Sequence, residues 1–327
     1  MKKHFFAYSV RGGVFMTSYI VNGYAYPSIA QATLDWWLPR LRWLSTFSYG
    51  FTEEGNLIDL NDEMLIASAR QADIRPMMVL TPLDEYGIFN DNIATAVFDD
   101  PKARRNLIEN IEKNIEEKEM GGVDFDFEYL PKEYAQAYVE LVADTKKQLA
   151  PRGWLVTAAL APKTSSDQPG LLYQGHDYAG MGEAADYCLL MTYEWGYTYG
   201  PPMPVSPIDN VRRVILYGLT QMPAAKILMG MSNYGYDWTL PFVQGQSKAE
   251  KLTNYQAEAR AAYYGVEVQW DEEAQAPFYT YIDDAGREHI VWFENERSWK
   301  ARLSLVGEYG LAGIGIWNIM SIFYGGI

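Results

Sequence analysis

The residues with the clearest chemical potential stand in one short run, Gly121-Gly122-Val123-Asp124-Phe125-Asp126-Phe127-Glu128. In a strand, successive side chains alternate between two faces. Asp124, Asp126 and Glu128 therefore share one face, and Val123, Phe125 and Phe127 share the other. Acids about 6–7 Å apart along one strand resist joint ionisation. Such a row suits proton transfer. Glu128 comes last, so it would meet a substrate first and act as general acid. Asp126, one step below, would raise the pKa of Glu128 by its charge, and Asp124, deeper still, could share a proton with Asp126. The set fits cleavage of a glycosidic bond. An Asp-x-Asp pair can also hold Mg²⁺ or Mn²⁺. Metal–phosphate enzymes usually add a phosphate cradle or a Lys/Arg cluster, and neither stands beside this run, so no metal and no other cofactor is expected.

A row of acids needs a rigid frame. Short apolar, β-rich runs fall near Met16–Ala25, Trp43–Tyr49, Arg75–Thr81, Gly122–Phe127, Trp154–Leu160, Tyr187–Thr192, Lys226–Ser232 and Gly313–Asn318. Most are continuously apolar, as buried parallel strands are. Helical patterns lie between them. Leu107, Ile111 and Ile115 repeat every four residues and mark the buried stripe of a helix from about Pro101 to Met120. Tyr134, Tyr138, Leu141 and Val142 mark the next. Asn61-Asp62-Glu63 and Asp100-Pro101 read as helix starts. Eight strands alternating with helices predict an α/β fold, a (β/α)8 TIM barrel, with catalysts at the C-terminal ends of its strands. An open doubly wound sheet would want a Gly-rich phosphate loop after the first strand, and Asn22-Gly23-Tyr24-Ala25-Tyr26-Pro27 is not one. The barrel is expected over residues 15–327, after an N-terminal arm at 1–14. A small α+β insertion is expected between the seventh strand and the seventh helix, at about 239–292. It would hold a helix at Gln256–Tyr264 and short strands at Val266–Trp270, Phe278–Ile282 and His289–Phe293.

Composition narrows the function classes. Of 327 residues, 27 are Lys or Arg and 42 are Asp or Glu, a net charge of −15. A chain this acidic does not hold nucleic acid by bulk attraction. No run of about 18 apolar residues offers a membrane span. Phe5–Val10, cut by Arg11-Gly12-Gly13, is too short for a convincing signal peptide, and the compartment is not legible. The single cysteine, Cys188, and three scattered histidines, His4, His176 and His289, provide neither a Cys-rich zinc site nor an evident triad. Cys188, inside an apolar run, reads as a core residue, and the three histidines read as incidental. Aromatics make up 15%, enough for sugar-stacking platforms as well as a core. Trp317 follows Gly313 and Gly315 and would stack beneath a sugar. Trp195 and Tyr49 stand just past the sixth and second strands, at the mouth, and Asn233 and Tyr234 follow the seventh.

The acidic run resembles the Asp-Gly-x-Asp-x-Asp-x-Glu signature of family 18 glycoside hydrolases, which include chitinases. Gly122, Asp124, Asp126 and Glu128 match it, and Gly121 replaces the first Asp. Met191-Thr192-Tyr193-Glu194 resembles the family's Met-x-Tyr-Asp, with Glu for Asp. Ile314-Gly315-Ile316-Trp317 resembles the eighth-strand end whose Trp floors the central sugar site. Asn22-Gly23-Tyr24, Phe47-Ser48-Tyr49-Gly50-Phe51, Tyr193-Glu194-Trp195-Gly196-Tyr197, Gly200-Pro201-Pro202 with Ser206-Pro207-Ile208, and Val291-Trp292-Phe293-Glu294 are similar to the bacterial spore cortex-lytic branch. Its members cleave N-acetylglucosamine (GlcNAc) linkages in cortex peptidoglycan during germination. Many carry LysM repeats before the barrel. None stands in this sequence, so wall anchoring would be delegated.

The resemblance implies a retaining, substrate-assisted hydrolysis. Glu128 protonates the leaving oxygen, and the substrate's own N-acetyl carbonyl attacks the anomeric carbon to give an oxazolinium ion. Asp126 orients the acetamido N–H, Tyr193 donates to its carbonyl, and Glu128 then activates water. Asp124 acts through Asp126. Met191, Glu194 and Tyr24 would join Trp317, Trp195, Tyr49, Asn233 and Tyr234 as substrate contacts. The expected partner is a GlcNAc-containing glycan, peptidoglycan or, as an alternative, chitin, met by a monomer. A catalytically silent chitinase-like lectin is the alternative from another class. Such lectins typically lose the terminal acid, and Glu128 is present.

Overall fold

The computed structural model describes residues 19–327, together with the backbone of Ser9–Arg11 and Val14–Met16, which pair antiparallel. The rest of the arm expected at 1–14 lies outside the described residues. The barrel strands are β1 (Ile20–Ala25), β2 (Trp43–Phe51), β3 (Arg75–Leu80), β4 (Gly122–Phe125), β5 (Leu155–Leu160), β6 (Tyr187–Leu190) and β7 (Ile227–Ser232). Strands β8 to β12 belong to the insertion, and β13 (Gly313–Trp317) completes the barrel. Each barrel strand pairs in parallel with the next, and β13 pairs with β1, so the sheet closes. This is the (β/α)8 barrel expected.

Two apolar layers follow from the alternation of side chains. Trp43, Phe47, Met77, Val79, Leu189 and Leu228 fill the interior. Val21, Leu44, Met78, Val123, Val156 and Ile314 face the helices instead. Helix α1 is Gln31–Trp37, α2 Glu63–Gln71, α3 Asp91–Asp99, α4 Pro101–Glu117, α5 Ala135–Leu149, α6 Tyr178–Ala184 and α7 Ile208–Gln221. Helix α4 shows why such a segment folds as it does. The Asp100 side chain caps its first turn by accepting from Lys102 N–H, Pro101 takes the first position, and Leu107, Ile111 and Ile115 are fully buried. Each buried aliphatic contributes roughly 1.5–3 kcal/mol. Helix α2 begins where Asn61-Asp62-Glu63 reads as a helix start, although the Asp62 side chain makes no cap bond to it.

The insertion contains β8 (Tyr234–Thr239), β9 (Glu250–Thr253), α8 (Asn254–Tyr263), β10 (Gln269–Asp271), β11 (Ala276–Ile282) and β12 (Glu288–Trp292). Its strands form one antiparallel sheet in the order β9-β8-β12-β11-β10. It starts at Tyr234, earlier than the 239 expected, because Tyr234 to Thr239 pair with β9 and β12. The chain then returns through α9 (Glu296–Tyr309) to β13.

Candidate active site

Strand β4 ends at Phe125, yet the chain keeps its alternation to Glu128. Asp126 N–H still donates to Leu80 O across the ladder. Val123, Phe125 and Phe127 are buried against the helices, with the Phe127 ring stacked 5.1 Å from Tyr138 and 5.4 Å from Phe51. The apolar face thereby fixes the acidic one. Asp124 is the deepest acid, and both its oxygens are engaged: Tyr24 OH donates to Oδ2 at 2.7 Å, and Thr157 Oγ1 to Oδ1 at 2.5 Å. Burial nevertheless lifts its carboxyl to about 6. Asp126 is 7% exposed, and its Oδ1 finds no hydrogen-bond partner among the described residues.

Burial pushes Asp126 well above the ordinary carboxylate range, and the charges of Glu128 and Asp124 push it further. Glu128 rises to about 7, first through burial and then through Asp91 and Glu194. Asp126 and Glu128 repel one another as like charges do, and burial together with Asp91 on α3 and Glu194 beyond β6 adds to the rise at Glu128.

Asp126 and Glu128 line a cleft of about 670 Å³ at the C-terminal end of the strands, with Met191, Tyr193, Glu194, Trp195 and Trp317. Tyr193 fits because β7 carries Gly230 beside it, where a Cβ would fall 2.7 Å from Tyr193 Cε1. Trp317 is braced edge-on by Phe47 at 4.7 Å and Tyr26 at 5.9 Å. Glu194, in the left-handed region at φ +64°, accepts hydrogen bonds from Tyr234 OH and, at 2.9 Å, from Tyr236 OH. Tyr129, at φ +52°, follows Glu128 directly. Non-glycine residues in this region cost about 1–3 kcal/mol each and cluster at functional sites.

Four expected substrate contacts lie elsewhere. Tyr24 is buried with its hydroxyl on Asp124, so it serves the acid row from below. Asn233 is buried, and its side-chain amide donates to Asn318 O, tying β7 to the chain beyond β13. Tyr234 is buried and holds Glu194. Tyr49 faces the helices. Between Thr46 and Tyr49 the β2–β3 register slips, with three residues of β2 spanning two of β3. The extra residue reverses the faces. Odd positions point inward up to Phe47 and outward from Tyr49. There Tyr49 OH donates to Asp62 Oδ2 at 2.7 Å and accepts from Lys118 Nζ at 2.9 Å. Tyr49→Phe should therefore lower stability by about 1–3 kcal/mol, since it leaves buried Asp62 Oδ2 without its donor while Lys118 still holds Oδ1, and leave KM unchanged. Urea unfolding beside steady-state kinetics checks both, and a raised KM at unchanged stability would return Tyr49 to the cleft.

Other lining residues went unread in the sequence: Tyr26, Phe47, Phe89, Tyr129, Tyr173 and Tyr197. Phe47 was accessible by counting in twos from Trp43. Tyr173 comes from a segment without period and had no such signal.

A closed parallel barrel with stacked carboxylates at its mouth and an aromatic floor defines a barrel glycosidase. The profile of glycosyl hydrolases family 18 matches residues 88–321, and the chain belongs to that family. It is 39% identical over 281 residues to the cortical fragment-lytic enzyme of Bacillus subtilis (strain 168), an alignment covering 86% of this chain and 65% of that one. The chain thus spans just under two thirds of that relative's length. Among solved structures, the Bacillus cereus spore cortex-lytic enzyme SleL matches with a TM-score of 0.89 at 35% identity, over 93% of this chain and 72% of that one. A Chromobacterium violaceum chitinase matches with a TM-score of 0.85 at 25% identity, over 92% and 94%.

Proposed function

We propose that the protein hydrolyses β-linked GlcNAc in peptidoglycan, cortex fragments above all, by substrate-assisted catalysis with retention. The observation that carries this reading is Asp126 Oδ1, a buried oxygen with no partner among the described residues, beside Glu128 in the cleft. Unpartnered buried oxygens are costly, and an acetamido N–H is a donor of the right kind. Tyr193, on the same cleft, supplies a hydroxyl for the acetamido carbonyl. Drawn against the anomeric carbon, that carbonyl displaces the leaving oxygen as Glu128 protonates it, giving an oxazolinium ion. Glu128, now ionised, takes a proton from water, which opens the ion with overall retention. Trp317 offers the flat apolar face a pyranose ring stacks on. The cortex preference rests on the cortical fragment-lytic relative, which is closer in sequence than the chitinase.

Mass spectrometry of products from cortex fragments, vegetative wall and chitin oligomers tests the substrate. Cortex fragments should give new saccharides ending in GlcNAc. Turnover of chitin oligomers alone would move the assignment to chitin, and turnover of nothing would favour a lectin. The same assay reads the acid. Glu128 must hold its proton to donate it, and its pKa in the folded protein is about 7. Log kcat/KM should be flat below that point and fall by about one unit per pH unit above it. A rate that rises with pH through that point would mean that Glu128 works as a base only.

A further inference from the structure

We infer that His176 is a positioning residue for catalysis: it fixes the backbone between Asp126 and Glu128 by donating from Nε2 to the Phe127 carbonyl. The inference rests on the proposed role of Glu128.

The geometry leaves one arrangement of protons. His176 is fully buried, and its Nδ1 lies 2.9 Å from Ala161 N–H, which can only donate. Nδ1 is therefore bare, and the ring proton is on Nε2. Nε2 lies 3.0 Å from Phe127 O, which can only accept. Both ring nitrogens are used, and the neutral form is required. Burial agrees, holding His176 down to about 4.

The site of attachment matters. The β4 ladder has ended by Phe125, and the last sheet bond on this segment is Asp126 N–H to Leu80 O. Two residues after Phe127 the chain turns through left-handed Tyr129. Glu128 thus sits on a backbone that has left the sheet, and the imidazole replaces the missing ladder partner. The ring stack of Phe127 on Tyr138 fixes that side chain, while His176 fixes the peptide that sets the Glu128 pitch. The imidazole also joins the ends of β4 and β5, through Phe127 and Ala161.

The segment that carries His176 is itself held tightly. Gly175 packs so closely that a Cβ there would fall 2.4 Å from Leu130 Cβ, and Lys163 Nζ donates to His176 O at 2.8 Å. The preceding residues Leu171, Leu172 and Tyr173 line the cleft. One short segment therefore walls the substrate and holds the acid's backbone.

Two amides separate the roles of the two nitrogens. His176→Gln can place an N–H where Nε2 stands, and His176→Asn can place an acceptor only where Nδ1 stands. Steady-state kinetics on a GlcNAc oligomer or cortex fragment should show kcat reduced about 10- to 100-fold in His176→Asn with KM within about threefold, as a displacement near 1 Å at a reacting group produces. His176→Gln should keep kcat within about threefold. A residue that only stabilises the fold would lower Tm in both variants and leave kcat per folded molecule alike. Carbon-13 NMR of the Glu128 carboxyl, assigned with Glu128→Gln, gives a readout that needs no turnover. Its titration midpoint should shift in His176→Asn and hold in His176→Gln. Folded His176→Asn with wild-type kcat and midpoint overturns the inference, as does folded His176→Gln with kcat lost. If His176→Asn does not fold, His176→Gln decides alone. Failure of the wild type to cleave any GlcNAc glycan would instead remove the proposed function, with the NMR midpoints still deciding whether His176 positions Glu128.

Discussion

Glu128→Gln should leave a folded protein that still binds saccharide and turns it over about 10²–10⁴-fold more slowly, or worse. The amide keeps the shape of the side chain but has no acidic proton for the leaving oxygen. It cannot later take a proton from water, so both chemical steps lose the same group. Stability should move the other way. The Glu128 carboxyl rises from its ordinary 4.5 to about 7, chiefly through burial. A carboxyl with a raised folded-state pKa favours the native state most below its unfolded pKa, and that contribution is lost as pH rises through the folded value. At pH 8 the wild type therefore holds an ionised carboxylate in a poorly solvated place, beside Asp91 and Glu194. The amide removes that cost. Glu128→Gln should melt a few degrees above the wild type at pH 8 and close to it at pH 5. Calorimetry at the two pH values, beside kcat, separates this outcome from a misfolded variant. Near wild-type kcat in a folded Glu128→Gln would sink the assignment of the acid.

How much of this site could be read in the sequence depended on how local each constraint was. The acid row was legible because strand alternation is a rule of one segment, and it persisted to Glu128 even though the ladder ended at Phe125. Trp317 and Trp195 were legible because strand ends lie at the mouth of a barrel. Tyr49 was misplaced for a physical reason of the same kind. One extra residue in β2 reversed the faces, and nothing in Phe47-Ser48-Tyr49 announces it. Tyr24 was read as a sugar contact from the resemblance alone, and Tyr234 from its place just after the seventh strand. Their partners, Asp124 and Glu194, lie 100 and 40 residues away. His176 read as incidental for the same reason: its bond to Phe127 O spans 49 residues. The barrel was written in the periodicity of the chain, and the polar bonds that hold its catalytic end were not.

Removal of the substrate's acetamido group should be as damaging as removal of Glu128. A matched substrate with glucose or unacetylated glucosamine at the cleaved sugar should turn over at least about 10³-fold more slowly, since an intramolecular nucleophile is worth that and more. The alternative is an enzyme carboxylate that attacks the sugar. Glu194 is the one carboxylate among the described residues that lines the cleft apart from Asp126 and Glu128. Its Oε1 accepts from both Tyr234 and Tyr236, and its Oε2 from Tyr236 at 3.1 Å. These bonds occupy both Glu194 oxygens and hold them toward the two tyrosines. Asp126 keeps a buried oxygen without a partner among the described residues, and in the proposed mechanism that oxygen receives the acetamido N–H. Asp126→Asn should accordingly lower kcat by about 10²-fold or more. Asp124→Asn should cost less, because Tyr24 and Thr157 already occupy both Asp124 oxygens and keep it off the substrate. A thiazoline analogue of the oxazolinium ion should bind more tightly than the substrate, since it resembles a high-energy species the site favours. Trapping of a covalent glycosyl–Glu194 adduct, or efficient cleavage of a substrate without the acetamido group, would replace this chemistry with the two-carboxylate retaining mechanism.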